Sequence, residues 1–563
     1  MNEATSPSIP AFTANVQMPL ALETPEAENW DQEADLIIVG FGGAGAVAAL
    51  QAREMGASVI AVDRFAGGGA TANSGGVIYA GGTRIQAEAG FDDTAEEMFK
   101  YIAYEGSPVK EATLRHFCET SGENIDWLMS HGVQFDSSHY PARIAYPPDG
   151  YHLYYTGMEK FHPDVARPAP RGHRTVGKGP SGKNYFAALK QSALQKGVTV
   201  IPHAPARRLL TDKQGRVVGI EVQKLPESSH GQHDALYKRV DPMKPFNSAK
   251  AEGYIADTAE FEASVPQELL RIRARKGVIL ASGGYNYNLD FYGRYRPDIT
   301  AAARVLVRGG AMGCDGSGIE LGTSAGGGLG YMDSVFITKA ISPPEEFVKG
   351  VLVNSKGKRL INEDAYLGHV GLKVLAQEGG NAWVILDSST FWRGFRQMVW
   401  PLSNAISWWG MPALMNLLFG GTRRGRTLTA LAGKLGINAG QLCNTINHYN
   451  AQASAGNDQE FGKQASNLAP MVRPPYYAFN LSLLNKYGFS GSMPYGGLTV
   501  EEDTGAVTRA DGSVIDGLYA AGRTAVGICS GANFSGLSIA DTVFSGRRAA
   551  RAALNQAQRV AAP

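Results

Sequence analysis

One segment, 35–63, constrains the fold of this chain more than any other. The apolar run DLIIV is followed at once by the glycine turn GFGGAG, the helical run AVAALQAREMG and a second apolar run, SVIAVD, which ends at Asp63. Gly40 permits a tight turn, Gly42 lets backbone approach a pyrophosphate, and Gly45 lets helix and strand pack closely. This order of strand, turn, helix, strand and acid predicts a Rossmann-like α/β domain that holds a dinucleotide.

The polar groups of this segment fit the two ends of such a ligand. A pyrophosphate would lie on the helix N-terminus, where unpaired N–H groups and the helix dipole favour negative charge. Asp63 would accept hydrogen bonds from the ribose hydroxyls. The alternative is an ordinary glycine-rich turn between a strand and a helix.

The residues after the second strand favour FAD over NAD. The stretch GGGATANSGGVIYAGG, at 67–82, consists largely of small residues, which a ribityl chain and an isoalloxazine need as a close, extended cradle. Further on, KGVILASGGYN at 276–286 reads as a strand that ends in Ser-Gly-Gly, and the C-terminal region reads as a strand, a glycine loop and a long helix.

The composition excludes several other classes of protein. The 563 residues carry 53 basic and 52 acidic side chains, so no global charge favours nucleic acid, and RRGR at 423–426 has no recognition helix or aromatic sheet beside it. The four cysteines are far apart, which indicates a reducing compartment, the cytoplasm, with neither disulfide nor metal. No run is apolar and long enough to span a bilayer.

The order of these pieces resembles the flavoprotein family of fumarate reductases and 3-ketosteroid dehydrogenases over about 33–555. GVLVNSKGKRLINEDA, at 350–365, is similar to a segment of that family's capping domain. The resemblance implies a split, glutathione-reductase-like FAD domain with an inserted catalytic cap of α+β structure, and FAD bound without a covalent link. The cofactor residues it implies are Gly40, Gly42, Gly43, Ala44, Gly45, Asp63, Arg64, Thr71, Ser74, Gly75, Gly76, Ala206, Gly283, Gly522, Arg523, Ser538 and Ile539.

Two motifs separate the branches of this family. Where fumarate reductases have a substrate-clamping arginine, the segment SGANFSGLS places Phe534, and SMPYGG at 492–497 lacks the family's histidine. Without these cations a dicarboxylate has no charge-assisted partner. ATANSGGVIYAGG, YYTGME, PAPRGH and CSGANFSGLSIAD instead resemble the 3-ketosteroid Δ4-(5α)-dehydrogenases. That branch takes a proton from the carbon beside the C3 ketone and passes hydride from the next carbon to the flavin.

The catalytic residues depart from that branch. The family's tyrosine in the C-terminal loop aligns with Asn533, its serine is kept as Ser535, and a second tyrosine aligns with Ser342. Asparagine cannot act as a base. We expect the base to be Tyr495 or, next, Tyr366; weaker candidates are Tyr155 and His173. The alternatives are a Δ1-dehydrogenase, an enone or ketosteroid reductase running in reverse, and a non-catalytic FAD-binding subunit.

We predict a flexible leader at 1–30, an FAD domain at 31–295 and 487–556, and a cap at 296–486. A tryptophan-rich basic insert lies at about 388–426, and no Asp or Glu occurs from 388 to 457. Tryptophan and arginine favour membrane interfaces, so 391–426 is a candidate for peripheral membrane contact. A cap core or an oligomer interface is the alternative.

We also expect a steroid substrate, an external electron acceptor such as a quinone, and no nucleic-acid partner; the oligomeric state stays open.

Overall fold

The computed structural model describes residues 13–141, 144–242, 244, 246–399, 411–488, 490–531 and 534–560. Its strands are β1 (Leu20–Ala21), β2 (Gln32–Val39), β3 (Val59–Val62), β4 (Val77–Tyr79), β5 (Leu153–Tyr154), β6 (Gly172–Arg174), β7 (Thr199–Ile201), β8 (Ala206–Thr211), β9 (Val217–Lys224), β10 (Glu268–Leu280), β11 (Val307–Arg308), β12 (Leu329–Gly330), β13 (Val335–Lys339), β14 (Val351–Asn354), β15 (Ala382–Leu386), β16 (Arg423–Gly425), β17 (Tyr476–Asn480), β18 (Ser490–Pro494), β19 (Gly497–Leu498), β20 (Ala506–Thr508) and β21 (Val514–Ala520).

The α-helices follow the same chain order. They are α1 (Gly43–Glu54), α2 (Gly69–Ala72), α3 (Arg84–Glu88), α4 (Ala95–Glu105), α5 (Glu111–Glu119), α6 (Ser121–Ser130), α7 (Gly182–Gln195), α8 (His230–Tyr237), α9 (Ala251–Ser264), α10 (Leu289–Tyr295), α11 (Pro297–Thr300), α12 (Ser317–Ser324), α13 (Leu367–Leu375), α14 (Ser388–Val399), α15 (Met411–Phe419), α16 (Leu428–Leu435), α17 (Ala439–Ser454) and α18 (Leu537–Val560).

A parallel sheet forms the centre of the molecule. Its strands lie in the order β7, β3, β2, β10 and β21, each parallel to its neighbour. Along β2, Leu36 and Ile38 face one apolar core, and Ile37 and Val39 face another. Because both faces are buried, this strand reads in the sequence as a continuous apolar run rather than an alternating one.

The strand β10 joins the parallel strands of the sheet to its antiparallel strands. Its first half pairs antiparallel with β9, which pairs in turn with β8, and its last residues pair with β21. The polar excursion between β9 and β10 carries the helices α8 and α9. The chain therefore leaves the sheet after β9, covers part of its edge, and returns along β10.

Our prediction of a flexible leader is wrong for residues 13–30. The strand β1 pairs parallel with β8, and Val16 and Leu22 are buried. The backbone N–H groups of Thr13 and Ala14 each donate to the Glu320 carboxylate at 2.8 Å. The open edge of β8 and the buried acid on α12 offer partners to this segment, so it is held to the sheet.

Two helices of the site, α1 and α18, pack against each other and begin at the same edge of the sheet. The helix α18 packs against α1 so closely that a Cβ added at Gly546 would lie 2.8 Å from the Ala44 carbonyl oxygen. Both helices begin beside the carboxyl end of β2, where their first residues line a cavity. Ligands of open α/β sheets bind at this position.

The inserted region builds separate sheets. The strands β14, β15, β17 and β16 form an antiparallel sheet, whose outer face packs on α16 and α17 through Val351, Ile385, Leu431 and Leu442. A smaller sheet of β11, β18 and β13 lies next to the cavity. Within the described ranges, no helix is long and apolar enough to cross a membrane. The domain boundaries stay a prediction.

Candidate active site

One cavity runs from the carboxyl end of β2 to the cap sheet of β11, β18 and β13. Most of the predicted cofactor residues line it. They are Gly40, Gly42, Gly43, Ala44, Asp63, Arg64, Thr71, Ser74, Gly75, Ala206, Gly283, Gly522, Arg523, Ser538 and Ile539. The fold thus brings residues from five separate parts of the chain to one wall.

Two of the predicted cofactor residues, Gly45 and Gly76, do not line the cavity. A Cβ on Gly45 would lie 1.9 Å from the Gly40 carbonyl oxygen, and one on Gly76 would lie 2.7 Å from the Gly182 nitrogen. Gly76 also has a φ of +64°, which only glycine adopts readily. Both glycines therefore shape the cavity from behind by allowing backbone to pack.

The N-terminus of α1 fits an anionic group. Its N-cap, Gly42, has no side chain to cap the first turn. Gly43 donates its N–H to Thr71 Oγ1 at 3.2 Å, and a Cβ on Gly43 would lie 2.6 Å from that oxygen. The helix dipole and the glycine backbone leave room for, and attract, a pyrophosphate at this point.

Asp63 holds the glycine turn together while it faces the cavity. Its Oδ2 accepts the Phe41 N–H and its Oδ1 accepts the Phe65 N–H, each at 2.8 Å. Burial raises the pKa of this carboxyl group, although the backbone donors act in the opposite direction. Each oxygen can accept a second hydrogen bond, so the residue fits a ribose diol.

Arg64 is fixed by two carboxylates that the sequence did not point to. Its guanidinium lies 2.7 Å from Glu262 and 2.9 Å from Asp315. Burial disfavours the cation, but these two acids outweigh it and raise the pKa of Arg64. Glu262 lies in the polar excursion, which also supplies Tyr237 and Pro242 to the cavity lining. No spacing in the sequence indicates these contributions.

Arg523 stands at the middle of the cavity in a fixed position. It donates to Asn286 Oδ1 at 2.9 Å and to Cys314 Sγ at 3.5 Å. Nearby, Gly283 has a φ of +87° and donates its N–H to Thr524 Oγ1 at 2.9 Å. These contacts join the end of β10 to the loop before α18, so the two halves of the split domain meet here.

The cap end of the cavity is neutral. Tyr366, Tyr495 and Ser535, three of the four predicted catalytic residues, line it together; the fourth, Asn533, lies outside the described residues. The sequence points to Phe534 and to the segment that holds Ser492 and Met493, but not to the rest of this wall, because the strands β11 and β13 carry no catalytic motif. The other residues of this wall are Ala145, Tyr146, Val307, Phe336, Thr338, Leu367, Gly491, Ser492, Met493 and Phe534.

The two candidate tyrosines flank one phenylalanine. The rings of Tyr366 and Tyr495 each have their centroid 6.2 Å from that of Phe336. Burial raises the pKa of Tyr495, so its hydroxyl stays protonated at neutral pH. A further cavity tyrosine, Tyr146, donates its hydroxyl to the Gly75 carbonyl at 2.8 Å. Tyr146 is therefore engaged in holding the small-residue stretch.

The weaker base candidates lie away from the cavity. Both ring nitrogens of His173 are bonded, to Thr83 Oγ1 at 2.8 Å and to the Arg171 carbonyl at 2.9 Å. Burial lowers the pKa of His173 to about 4, as for a structural histidine. Tyr155 and Ser342 do not belong to the cavity lining either.

The chain matches known flavoproteins along most of its length. Residues 35–536 match the family described as the FAD binding domain. The 3-oxo-5-alpha-steroid 4-dehydrogenase of Comamonas testosteroni is 34% identical over 88% of this chain and 93% of that protein. A 3-oxosteroid 1-dehydrogenase of Mycobacterium tuberculosis is 27% identical over 87% of this chain and 93% of that protein.

A solved structure agrees with these relatives. The 3-ketosteroid Δ4-(5α)-dehydrogenase of Rhodococcus jostii, solved with 4-androstene-3,17-dione, has a TM-score of 0.78 and 28% identity, covering 95% of this chain and 99% of that one. The chain belongs to the FAD-binding flavoprotein family. Within that family it is an FAD-dependent oxidoreductase of the 3-ketosteroid dehydrogenase group. The predicted family, fold class and cofactor are confirmed.

Proposed function

We propose that the enzyme forms the C4=C5 double bond of a neutral 3-ketosteroid. The observation that carries this proposal is the uncharged cap end of the cavity, where Phe534 stands in place of a cation and six hydroxyl side chains gather. A fused-ring ketone matches a wall of aromatic and aliphatic groups with a few polar contacts. FAD, when bound, would accept the hydride from C5, the carbon next to the C4 atom that loses its proton.

The chain's own residues have two tasks, to polarise the ketone and to take a proton. Negative charge grows on the ketone oxygen as the neighbouring carbon loses its proton. Ser535 supports that charge by donating a hydrogen bond, and the side-chain amide of Asn533 can do the same. Both act more strongly as the enolate forms, so they serve the transition state more than the ground state.

The base is one of two tyrosines. Tyr495 is our first candidate for the base. Its burial disfavours the phenolate that a base requires, so Tyr495 could equally well donate a hydrogen bond to the ketone. If Tyr495 is the donor, Tyr366, whose ring also lies beside Phe336, takes the proton. A buried tyrosine hydroxyl can donate a hydrogen bond to the ketone or, as the phenolate, take the substrate proton. It can act as the base only if a neighbouring group takes the hydroxyl proton from it.

The test of the function is anaerobic bleaching of the flavin. Mixing the holoenzyme with 5α-androstane-3,17-dione should reduce the flavin within one turnover and give the C4=C5 enone. Product with a C1=C2 bond would instead support the Δ1 alternative. No bleaching, together with no reoxidation of dithionite-reduced enzyme by an enone, would leave a non-catalytic FAD subunit.

Two variants separate the roles of the tyrosines. Tyr366→Phe and Tyr495→Phe each remove one hydroxyl and keep the ring that packs on Phe336. The variant that lacks the base should lose the first bleaching step, while the variant that lacks the donor should keep it at a rate lower by about 10- to 100-fold. Unchanged bleaching in a variant removes that tyrosine from the mechanism.

We also infer an external electron acceptor, a quinone or a similar compound, and peripheral membrane contact by a cytoplasmic enzyme through 391–426. In this segment Trp392 is 53% exposed, and Arg396 is exposed beside it on α14. Trp400, Trp408 and Trp409 fall on residues that the structure does not describe. Flotation with anionic liposomes at low and high salt tests the contact; a wholly soluble fraction at both salts argues against it.

A further inference from the structure

Three aromatic side chains from distant parts of the chain meet at the surface. They are Phe246 of the excursion, Phe419 at the end of α15, and Tyr487 before β18. The ring centroids of Phe246 and Phe419 each lie 5.8 Å from that of Tyr487. Phe246 is 49% and Phe419 is 57% exposed. Leu418 and Leu484, close by in the chain, are exposed by 59% and 53%. A soluble surface seldom groups large apolar side chains in this way unless they bind something.

The backbone holds Phe246 outward at a cost in free energy. Its φ is +59°, a left-handed conformation that bulky residues rarely adopt. The next residue, Asn247, pins the turn from both sides: its Nδ2 donates to the Arg239 carbonyl at 2.8 Å, and its Oδ1 accepts the Asp241 N–H at 3.1 Å. Strain of this kind is kept where surrounding contacts enforce it, and it concentrates at functional positions.

Two members of the aromatic cluster of Phe246, Phe419 and Tyr487 lie close in the chain to cavity-lining residues, one on the excursion that also holds Arg64 and one on the cap strand β18. Pro242, four residues before Phe246, lines the cavity, and so does Gly491, four residues after Tyr487. The excursion is fastened to the cap sheet here, because Arg308 of β11 donates to the Ser248 carbonyl at 3.1 Å. The cluster therefore marks the place where two segments of the cavity wall reach the surface.

One basic side chain contacts the aromatic cluster, and further basic residues lie close to it in the chain. The Lys486 ammonium lies 5.1 Å from the centroid of the Tyr487 ring. Lys244, Arg423 and Arg424 are exposed close by in the chain, and among the described residues no carboxylate lies within ion-pair distance of either arginine. Apolar rings with basic neighbours match a lipid surface that carries anionic headgroups, where the rings enter the interface and the cations meet the phosphates.

We propose that the aromatic cluster is the entrance through which the substrate passes from an anionic lipid surface into the cavity. This inference rests on the proposed steroid substrate, because a steroid dissolves in lipid far better than in water. An entrance that rests on the bilayer would take the substrate from the phase in which it is concentrated.

The test compares two ways of presenting the steroid to the holoenzyme. In one, 5α-androstane-3,17-dione is dissolved in phosphatidylcholine/phosphatidylglycerol vesicles; in the other, it is carried by cyclodextrin. The triple variant Phe246→Ser, Phe419→Ser, Tyr487→Ser should lose about tenfold or more in kcat/KM with vesicles and stay within about twofold with cyclodextrin. The double variant Leu194→Ser, Leu269→Ser removes exposed leucines elsewhere and should match wild type in both assays.

Each other result overturns the entrance. An equal loss with both carriers means that the cluster supports the fold or a soluble partner, and no loss with vesicles means that the steroid enters elsewhere. Arg423→Glu, Arg424→Glu should reduce turnover from anionic vesicles but not from pure phosphatidylcholine. If wild type oxidises no 3-ketosteroid from either carrier, the proposed function fails. In that case, flotation with empty anionic vesicles tests lipid binding by itself. Equal flotation of wild type and the triple variant would show that the aromatic cluster does not bind the lipid surface.

Discussion

The ring of Phe534 lies 4.5 Å from the ring of Tyr79, centroid to centroid, and 5.5 Å from that of Tyr101. Behind this aromatic wall, Arg171 donates to both oxygens of Asp93 at 2.8 and 2.7 Å, and neither side chain is exposed. The buried cation on this side is therefore already paired. Among the described residues, this wall therefore brings the Phe534 ring, and no cation, to the cavity lining.

Phe534→Arg should not convert the enzyme to a fumarate reductase. The new cation would be buried among the rings of Tyr79 and Tyr101, where its desolvation costs free energy and the apolar surface is lost. Steroid kcat/KM should therefore fall by at least about tenfold, while Phe534→Leu should stay within about threefold. Steady-state assays with 5α-androstane-3,17-dione and with fumarate measure both effects. Fumarate reduction by the wild-type enzyme at an ordinary enzymatic rate would contradict the neutral-substrate assignment.

Asp63→Ala should weaken FAD binding by about 1–3 kcal/mol, because the carboxylate both faces the cavity and accepts the N–H groups of Phe41 and Phe65. Fluorescence titration of the apoprotein with FAD gives the dissociation constant. Asp63→Asn is the matched control: it keeps one acceptor oxygen and should lose less. Wild-type affinity in Asp63→Ala would mean that this residue only supports the turn.

The sequence was sufficient where the determinants are local. The turn Gly40, Gly42, Gly43 and the acid Asp63 lie within one strand–helix–strand unit, whose glycines have few alternative uses. Backbone geometry alone decides their positions, so the lining at this end of the cavity could be predicted residue by residue, and its nucleotide contacts stay a prediction. Gly45 and Gly76 do not line the cavity but allow backbone to pack behind it. The local sequence pattern does not distinguish a glycine that packs in this way from one that contacts the ligand.

Long-range contacts could not be predicted in the same way. Glu262 reaches Arg64 across 198 positions, and Glu320 binds Thr13 across 307. Such pairs depend on how the excursion and the N-terminal segment fold back, and polar residues in irregular segments carry no periodicity. Ser535 is expected from the family resemblance, whereas Tyr495 and Tyr366 are expected as replacements for family tyrosines that this chain lacks. Nothing in the local sequence indicates that the fold brings these three residues together.

Glu262 should make the stability of the FAD domain dependent on pH in acid. Burial would raise its pKa, but Arg64, His233 and Arg207 outweigh burial and lower it to about 2 from 4.5. A carboxyl with a depressed folded pKa stabilises the fold above its unfolded pKa, and this contribution is lost as the pH falls from about 4.5 to 2. The loss should be on the order of 3 kcal/mol.

Urea unfolding of the apoprotein from pH 6 to pH 3 measures that dependence. Glu262→Gln should unfold at lower urea at pH 6 and show a flatter decline below pH 4.5, and Arg64 should lose its fixed position, so FAD affinity should drop too. Glu260→Gln, two residues away and exposed, should match wild type. Identical acid curves for wild type and Glu262→Gln would show that Glu262 contributes no ion-pair stability.

Lys339 should destabilise the protein at neutral pH. Its side chain is fully buried on β13, where its ammonium donates to the Ser482 carbonyl at 2.8 Å, and no carboxylate within the described residues pairs with it. Burial lowers the pKa of Lys339 to about 7. Between that value and the unfolded pKa near 10.5, the unfolded chain binds the extra proton, so stability should rise with pH by about 1.4 kcal/mol per unit.

Lys339→Met removes this proton linkage while it keeps an apolar chain of similar length. The variant should be more stable than wild type at pH 7 and lose its advantage as the pH approaches 10, because wild type then no longer has to release a proton on folding. Thermal unfolding at pH 7, 8.5 and 10 gives the comparison. Lys349→Met, at a partly exposed lysine paired with Glu346, is the control and should show no such convergence. A constant difference between wild type and Lys339→Met across the three pH values would mean that Lys339 keeps its charge in the fold through its bond to Ser482.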